Sequence, residues 1–155
     1  MRIVPIVFAS IALLAAASVT AKVSGAQAAQ IMHDRHEGME NVGKTFKVLH
    51  REFDSSSPSA PSVRASAGQM AALAKQSSRW FPAGTGPEAG KTGAKPEIWQ
   101  NPQDFAVKLA AFQKATLLFN AAAAQGDMNA AKARYADLGG TCKACHDKYR
   151  TEMHH

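Results

Sequence analysis

From residue 29 onward, apolar side chains recur at three- and four-residue steps in four separate runs, and nowhere do they alternate as in a half-buried strand. That periodicity commits the chain to helices. The first run aligns Met32, Met39, Val42, Phe46, Leu49 and Phe53. The second extends from about Pro61 to Trp80, with Val63, Ala67, Met70 and Ala74 in step and Pro61 at a favourable first helical position. The third follows Asn101, a candidate cap, and Pro102, and aligns Phe105, Leu109, Phe112, Thr116, Phe119 and Ala123. The fourth starts near Asp127, past Gly126, and aligns Ala131, Tyr135, Leu138, Cys142, Cys145 and Tyr149.

The connections set the topology. Ser55-Ser56-Ser57-Pro58 and Gln125-Gly126 are short enough to join antiparallel neighbours. The stretch from Pro82 to Pro96, with Gly84, Gly86, Gly90 and Gly93, is a long breaker-rich crossing between the second and third helices. The prediction is an all-α fold, an antiparallel up-down-up-down four-helix bundle. A three-helix array with a mobile second segment is the alternative.

Composition sharpens the picture once the N-terminus is set apart. Met1 and Arg2 precede an almost wholly apolar stretch from Ile3 to Ala17, then small residues ending in Ala26-Gln27-Ala28. This is the pattern of a secretory signal peptide, cut after Ala28 or, as a second choice, after Ala21. The apolar run falls short of the roughly 20 residues a bilayer span needs, and Lys22 closes it. Residues 1–28 are therefore read as a cleaved leader and 29–155 as one exported, periplasmic domain with no stable membrane span. In that domain Leu, Ile, Val and Phe supply only about one residue in seven, and alanine dominates. A chain so poor in large side chains stays loose or wraps something large and apolar. The formal charge of +6 falls to +4 without the leader, and no basic patch interleaved with aromatics is visible, so nucleic acid is not an expected partner.

Near the C-terminus stands Cys142-Lys143-Ala144-Cys145-His146, a C-x-x-C-H sequence. Two thiols one helical turn apart can add across the two vinyl groups of haem as thioethers, and the adjacent imidazole then reaches the iron. This motif predicts one covalently bound haem c per chain, with Cys142 and Cys145 as anchors and His146 as proximal ligand. Structural zinc wants four ligands and an iron–sulfur cluster about four cysteines, neither of which two cysteines supply. A dithiol oxidoreductase would place the pair at a helix start in a strand-containing fold. A plain disulfide between the two cysteines is the remaining alternative. Gly139-Gly140, just upstream, weakens a helix by about 1 kcal/mol per residue relative to alanine. The pair either lets a flat macrocycle approach the backbone or marks a kink.

With these residues in view, the chain resembles the class II c-type cytochromes, the cytochrome c′ family with its methionine-ligated low-spin members. The resemblance covers essentially all of the mature chain. It rests on Thr141 to Arg150 at the C-terminus, Arg35-His36-Glu37-Gly38-Met39 in the first helix, Trp80-Phe81-Pro82-Ala83-Gly84-Thr85 and Lys95-Pro96-Glu97-Ile98-Trp99. It implies that the residue four past Arg35, Met39, faces the distal side of haem as sixth iron ligand, with Arg35 on a haem propionate. Alternatively, Met39 only packs above a five-coordinate iron that binds nitric oxide or carbon monoxide. The resemblance also implies that Arg150 lies beside the proximal face and that Phe81 and Trp99 pack at the haem edge. Met32 is a weaker ligand candidate, His36 a minor one, and Met70 belongs to the core.

The main functional expectation is an electron carrier with redox protein partners, which Lys143 and Lys148 could steer if they are not simply a solvated face. The alternative is a protein for diatomic gas ligands. Enzyme chemistry of the peroxidase kind lacks a distal acid–base pair at a defined spacing, so no enzyme activity is expected. Family members often dimerise through their first two helices, which makes a homodimer a candidate assembly.

Overall fold

A computed structural model describes residues 23–152, so most of the expected leader lies outside the described residues. Helix α1 spans Gly25–Asp54, with the Ser24 hydroxyl accepting from Gln27 N–H at 3.3 Å. A cut after Ala28 would therefore remove the cap and first turn of this helix. Helix α2 spans Ala60–Gln76, capped by Ser59, and tightens into a 3₁₀ turn over Ser77–Arg79. After the crossing come a short α3, Glu97–Gln100, then α4, Pro102–Gln125, and α5, Met128–Tyr149.

The predicted four-helix bundle is present, with α3 as an added turn that a four-residue element cannot announce through periodicity. Neighbours run antiparallel. Gly126, in the left-handed region at φ 78°, closes α4, and the Asp127 carboxylate caps α5 through Ala130 N–H at 2.9 Å. Asn101 departs from expectation. It stands at the N-cap position of α4, but its amide donates to Glu97 O at 3.2 Å, because α3 ends there and its carbonyl is the nearer partner.

The main core is built from the predicted stripes: Leu49 and Phe53 of α1, Val63, Ala67 and Met70 of α2, Phe112 and Phe119 of α4, and Ala131 and Leu138 of α5. The upper half of α1 reads differently. Met32 and Met39 are only half-buried, whereas Arg35 and Gly38 are buried. Burial there is imposed by the crossing, which lies over α1 on the face carrying those two residues.

Helix backbones pack closely for α1 with α2, α2 with α4, and α4 with α5, whereas α1 and α5 stay apart. Side chains bridge that open side at one end. Lys132 Nζ donates to Phe53 O at 2.8 Å, Phe46 stacks on Tyr135 at 4.4 Å, and the Tyr135 hydroxyl donates to Phe46 O at 3.3 Å. A Cβ added to Gly139 would lie 3.3 Å from Phe46 Cζ, while one on Gly140 would meet nothing within 4 Å. Helix α5 runs unbroken through both glycines, so they mark no break.

Candidate functional site

Cys142 and Cys145 lie half-buried on the last turns of α5 as free thiols, so the disulfide alternative is not realised. Burial pushes both thiols up from their ordinary range, helped at Cys142 by the neighbouring Cys145 and at Cys145 by Asp104 against Lys108. His146 follows, with Arg150 Nη1 3.5 Å from its Nδ1. Its imidazolium is disfavoured first by lost hydration and then by that guanidinium, with Asp147 acting the other way.

The two cysteines belong to different apolar clusters. Cys142 packs against the main bundle core with Phe46 and Tyr135. Cys145 packs against a second cluster of Ile98, Phe105 and Tyr149, which also gathers Phe81 and Trp99. Within it Phe81, Phe105 and Tyr149 form a ladder of edge-on contacts at 4.8 and 5.2 Å. Leu109 packs against both clusters. The Trp99 indole N–H donates to Phe81 O and Pro82 O at 3.2 and 3.0 Å, so this side chain also closes the crossing on itself.

The end of α5 is tied to the same segment. Lys95 N–H donates to Tyr149 O and Thr151 N–H to Gly93 O, each at 2.9 Å, and the Tyr149 hydroxyl donates to Asp104 Oδ2 at 2.5 Å. Lys148 reaches that carboxylate at 2.9 Å, and Lys143 pairs with Asp147 at 2.6 Å. Both lysines considered for steering an acidic partner are therefore already matched by carboxylates on the chain itself.

Arg35 is placed by packing more than by helix phase. It is 4% exposed, and its guanidinium donates to Trp80 O, Thr85 Oγ1, Thr85 O and Thr92 Oγ1 at 2.9 to 3.2 Å. The same group lies 5.3 Å from the Phe81 ring centroid and 5.8 Å from that of Trp99. Burial pushes its pKa down, with Glu88 acting in the opposite direction. One turn on, a Cβ at Gly38 would collide with the Trp80 indole. The structure thus brings Arg35, Phe81, Trp99 and Cys145 into one neighbourhood and sets Arg150 on His146. Met39 belongs to neither cluster. Sequence reasoning missed Thr85, Thr92 and Gly38 as the partners that fit the crossing to α1, although Gly38 and Thr85 stand in the segments that carried the family resemblance.

These residues fit a covalent haem. Two unpaired thiols one turn apart open onto two separate apolar clusters, beside the seam along which the α1 and α5 backbones are not closely packed.

Comparison with known proteins agrees. The sequence profile of the family described as Cytochrome C' matches residues 30–150. The chain is 32% identical over 143 residues to a cytochrome c' of Allochromatium vinosum, spanning 90% of each. A stretch of 71 residues is 44% identical to a cytochrome c' of Alcaligenes xylosoxydans, spanning 46% of this chain and about half of that protein. Among solved structures, a cytochrome c' from Thermochromatium tepidum superposes with a TM-score of 0.75 at 32% identity, covering 85% of this chain and all of that one. A nitric oxide complex of a cytochrome c prime variant from Alcaligenes xylosoxidans superposes with a TM-score of 0.73 at 27% identity, covering 81% and 97%. With the motif, the bundle and the matches in agreement over nearly all of the described residues, the chain belongs to the cytochrome c' family, whose members carry one covalently attached haem c.

Proposed function

We propose that this chain is an exported haem protein that takes up nitric oxide or carbon monoxide on the α1 side of its haem, with Met39 packing over the open position. Kinship with the cytochromes c' carries the reading, and the register of the two facing helices supports Met39 as the distal residue. Phe53 with Lys132, and Phe46 with Gly139, are contacts between antiparallel α1 and α5 separated by seven residues on each helix. Seven residues are close to two turns and keep the same face. A further step of seven, about 10 Å along each helix, reaches Met39 on α1 and His146 on α5, which supports reading them as facing residues.

Haem bound through Cys142 and Cys145 would supply an iron that His146 would hold and that would offer a position to a diatomic gas. The chain does the rest. Cys145 and the Phe81, Phe105 and Tyr149 ladder offer one apolar wall, Cys142 and Phe46 the other, and both exclude water. Arg35 holds the crossing over α1. Met39, half-buried and flexible, fills the space opposite His146 and can move aside.

The family resemblance read from the sequence favoured Met39 as an iron ligand in an electron carrier. Kinship favours the open site instead, since most of the curated relatives are cytochromes c', with cytochromes c-554 beside them, and a structural neighbour is a nitric oxide complex. Residues 1–28 act as the export leader in this reading, and a homodimer through α1 and α2 is the expected assembly. None of the described helices is long and apolar enough to cross a membrane.

The absorption spectrum of the purified protein tests the proposal. A high-spin ferric spectrum, with rapid carbon monoxide binding to the ferrous form at neutral pH, is expected. A sulfur-to-iron charge-transfer band at the red end, lost in Met39→Ala, would overturn it and return the electron-carrier reading. N-terminal sequencing of exported protein checks the leader.

A further inference from the structure

We infer that the cleft between residues 29–36 of α1, which a cut after Ala28 leaves in place, and the crossing is a binding site for monovalent copper, independent of the haem site. The cleft has a volume of about 360 Å³, with Met32, His33 and His36 on its helical wall and Gly90 and Lys91 opposite. These three donors stand at positions i, i+1 and i+4 of one helix, so their side chains emerge within about one turn of each other. The Met32 thioether is turned toward the crossing. A Cβ on Gly90 would lie 3.4 Å from Met32 Cε and 3.9 Å from Sδ, so the glycine keeps that approach clear.

The second observation concerns His36. Its Nε2 lies 3.4 Å from Glu40 Oε1, one turn along the helix, and Glu40 is itself held by Lys44 at 2.9 Å. A ligating histidine characteristically donates its other ring N–H to a carboxylate, which fixes the tautomer and raises the basicity of the nitrogen that binds metal. Here the carboxylate stands beside Nε2 without a formed hydrogen bond, and Nδ1 is the nitrogen on the other edge of the ring.

The donor set selects the metal. Among the described residues no three His, Cys, Asp or Glu side chains converge as a metal site, so a borderline divalent ion such as zinc lacks its ligands. Two imidazoles and a thioether suit soft Cu(I), which thioether sulfur favours over harder ions. A single positive charge also meets less repulsion from Lys91 than a divalent ion would, and Lys91 is exposed and can swing away.

The test is an anaerobic competition titration of the ferrous haem-loaded protein with Cu(I) and a chromophoric chelator. His154→Ala and His155→Ala are built into every sample, so that the terminal pair cannot contribute. One copper per chain is expected, bound at least tenfold more weakly in Met32→Leu and in His36→Ala, and unaltered in His50→Ala. The Soret band, expected to stay in place during the titration, reports that the haem ligands are untouched. No uptake, uptake indifferent to Met32→Leu, or uptake that moves the Soret band would each overturn the inference.

Discussion

Phe46 of α1 and Gly139 of α5 approach so closely that a side chain on the glycine would be crowded, since a Cβ there would lie 3.3 Å from Phe46 Cζ. Phe46 cannot easily retreat, because its other face stacks on Tyr135 at 4.4 Å. Alanine gains about 1 kcal/mol over glycine in a helix interior, but overpacking costs about 1–3 kcal/mol. Gly139→Ala should therefore lose about 1 kcal/mol of stability. Gly140→Ala, with open space around it, should gain about 1 kcal/mol in haem-free protein. Urea melts of haem-free protein check both changes.

Arg35 should be irreplaceable by lysine. A single ammonium cannot serve Trp80 O, Thr85 O, Thr85 Oγ1 and Thr92 Oγ1 together, and Thr85 is fully buried. Buried acceptors left without donors make Arg35→Lys cost about 2–3 kcal/mol. Hydrogen exchange should rise across residues 80–92 while the α4–α5 hairpin keeps its protection. A uniform rise across the whole bundle would contradict this role.

Tyr135 gives the protein an alkaline limit. Burial, with smaller contributions from Asp54 and Cys142, pushes its phenol from 10 up to about 12. A proton held more tightly in the folded state means that this contribution to stability is complete below pH 10 and is lost as the pH rises toward 12. Stability should drop by about 2 kcal/mol over that window. Tyr135→Phe should show a flatter profile in denaturant melts between pH 9 and 12.

Haem should contribute much of the folding stability. A Cys142→Ser, Cys145→Ser variant made without haem is expected to melt at least about 10 °C below the haem-loaded protein, the shift that roughly 3 kcal/mol makes in a domain of this size. Equal midpoints would show that the alanine-rich core suffices alone.

Much of this architecture is legible from local chemistry. The stripe from Phe105 to Ala123 is buried almost as its spacing demands, with only Leu109 left half-buried, because a helix pointing one face into a core must repeat apolar residues at its own period. Gly126 and Asp127 mark a turn for equally local reasons. Helix α3 escapes notice because four residues are too few to show a period. The upper face of α1 misleads because its burial depends on a segment some fifty residues away, and apolarity ranks Met39 above Arg35 there.

The sequence alone determined the helices, their antiparallel order and the covalent chemistry, since backbone periodicity, turn residues and two thiols one turn apart are properties of neighbouring residues. Only the tertiary structure decided that Cys142 and Cys145 face different clusters, that Arg35 serves the crossing, and that α1 and α5 stand apart. Those outcomes depend on which distant surfaces pack together. Phe46 against Gly139 and Trp80 against Gly38 set those distances, and no spacing along the chain records them.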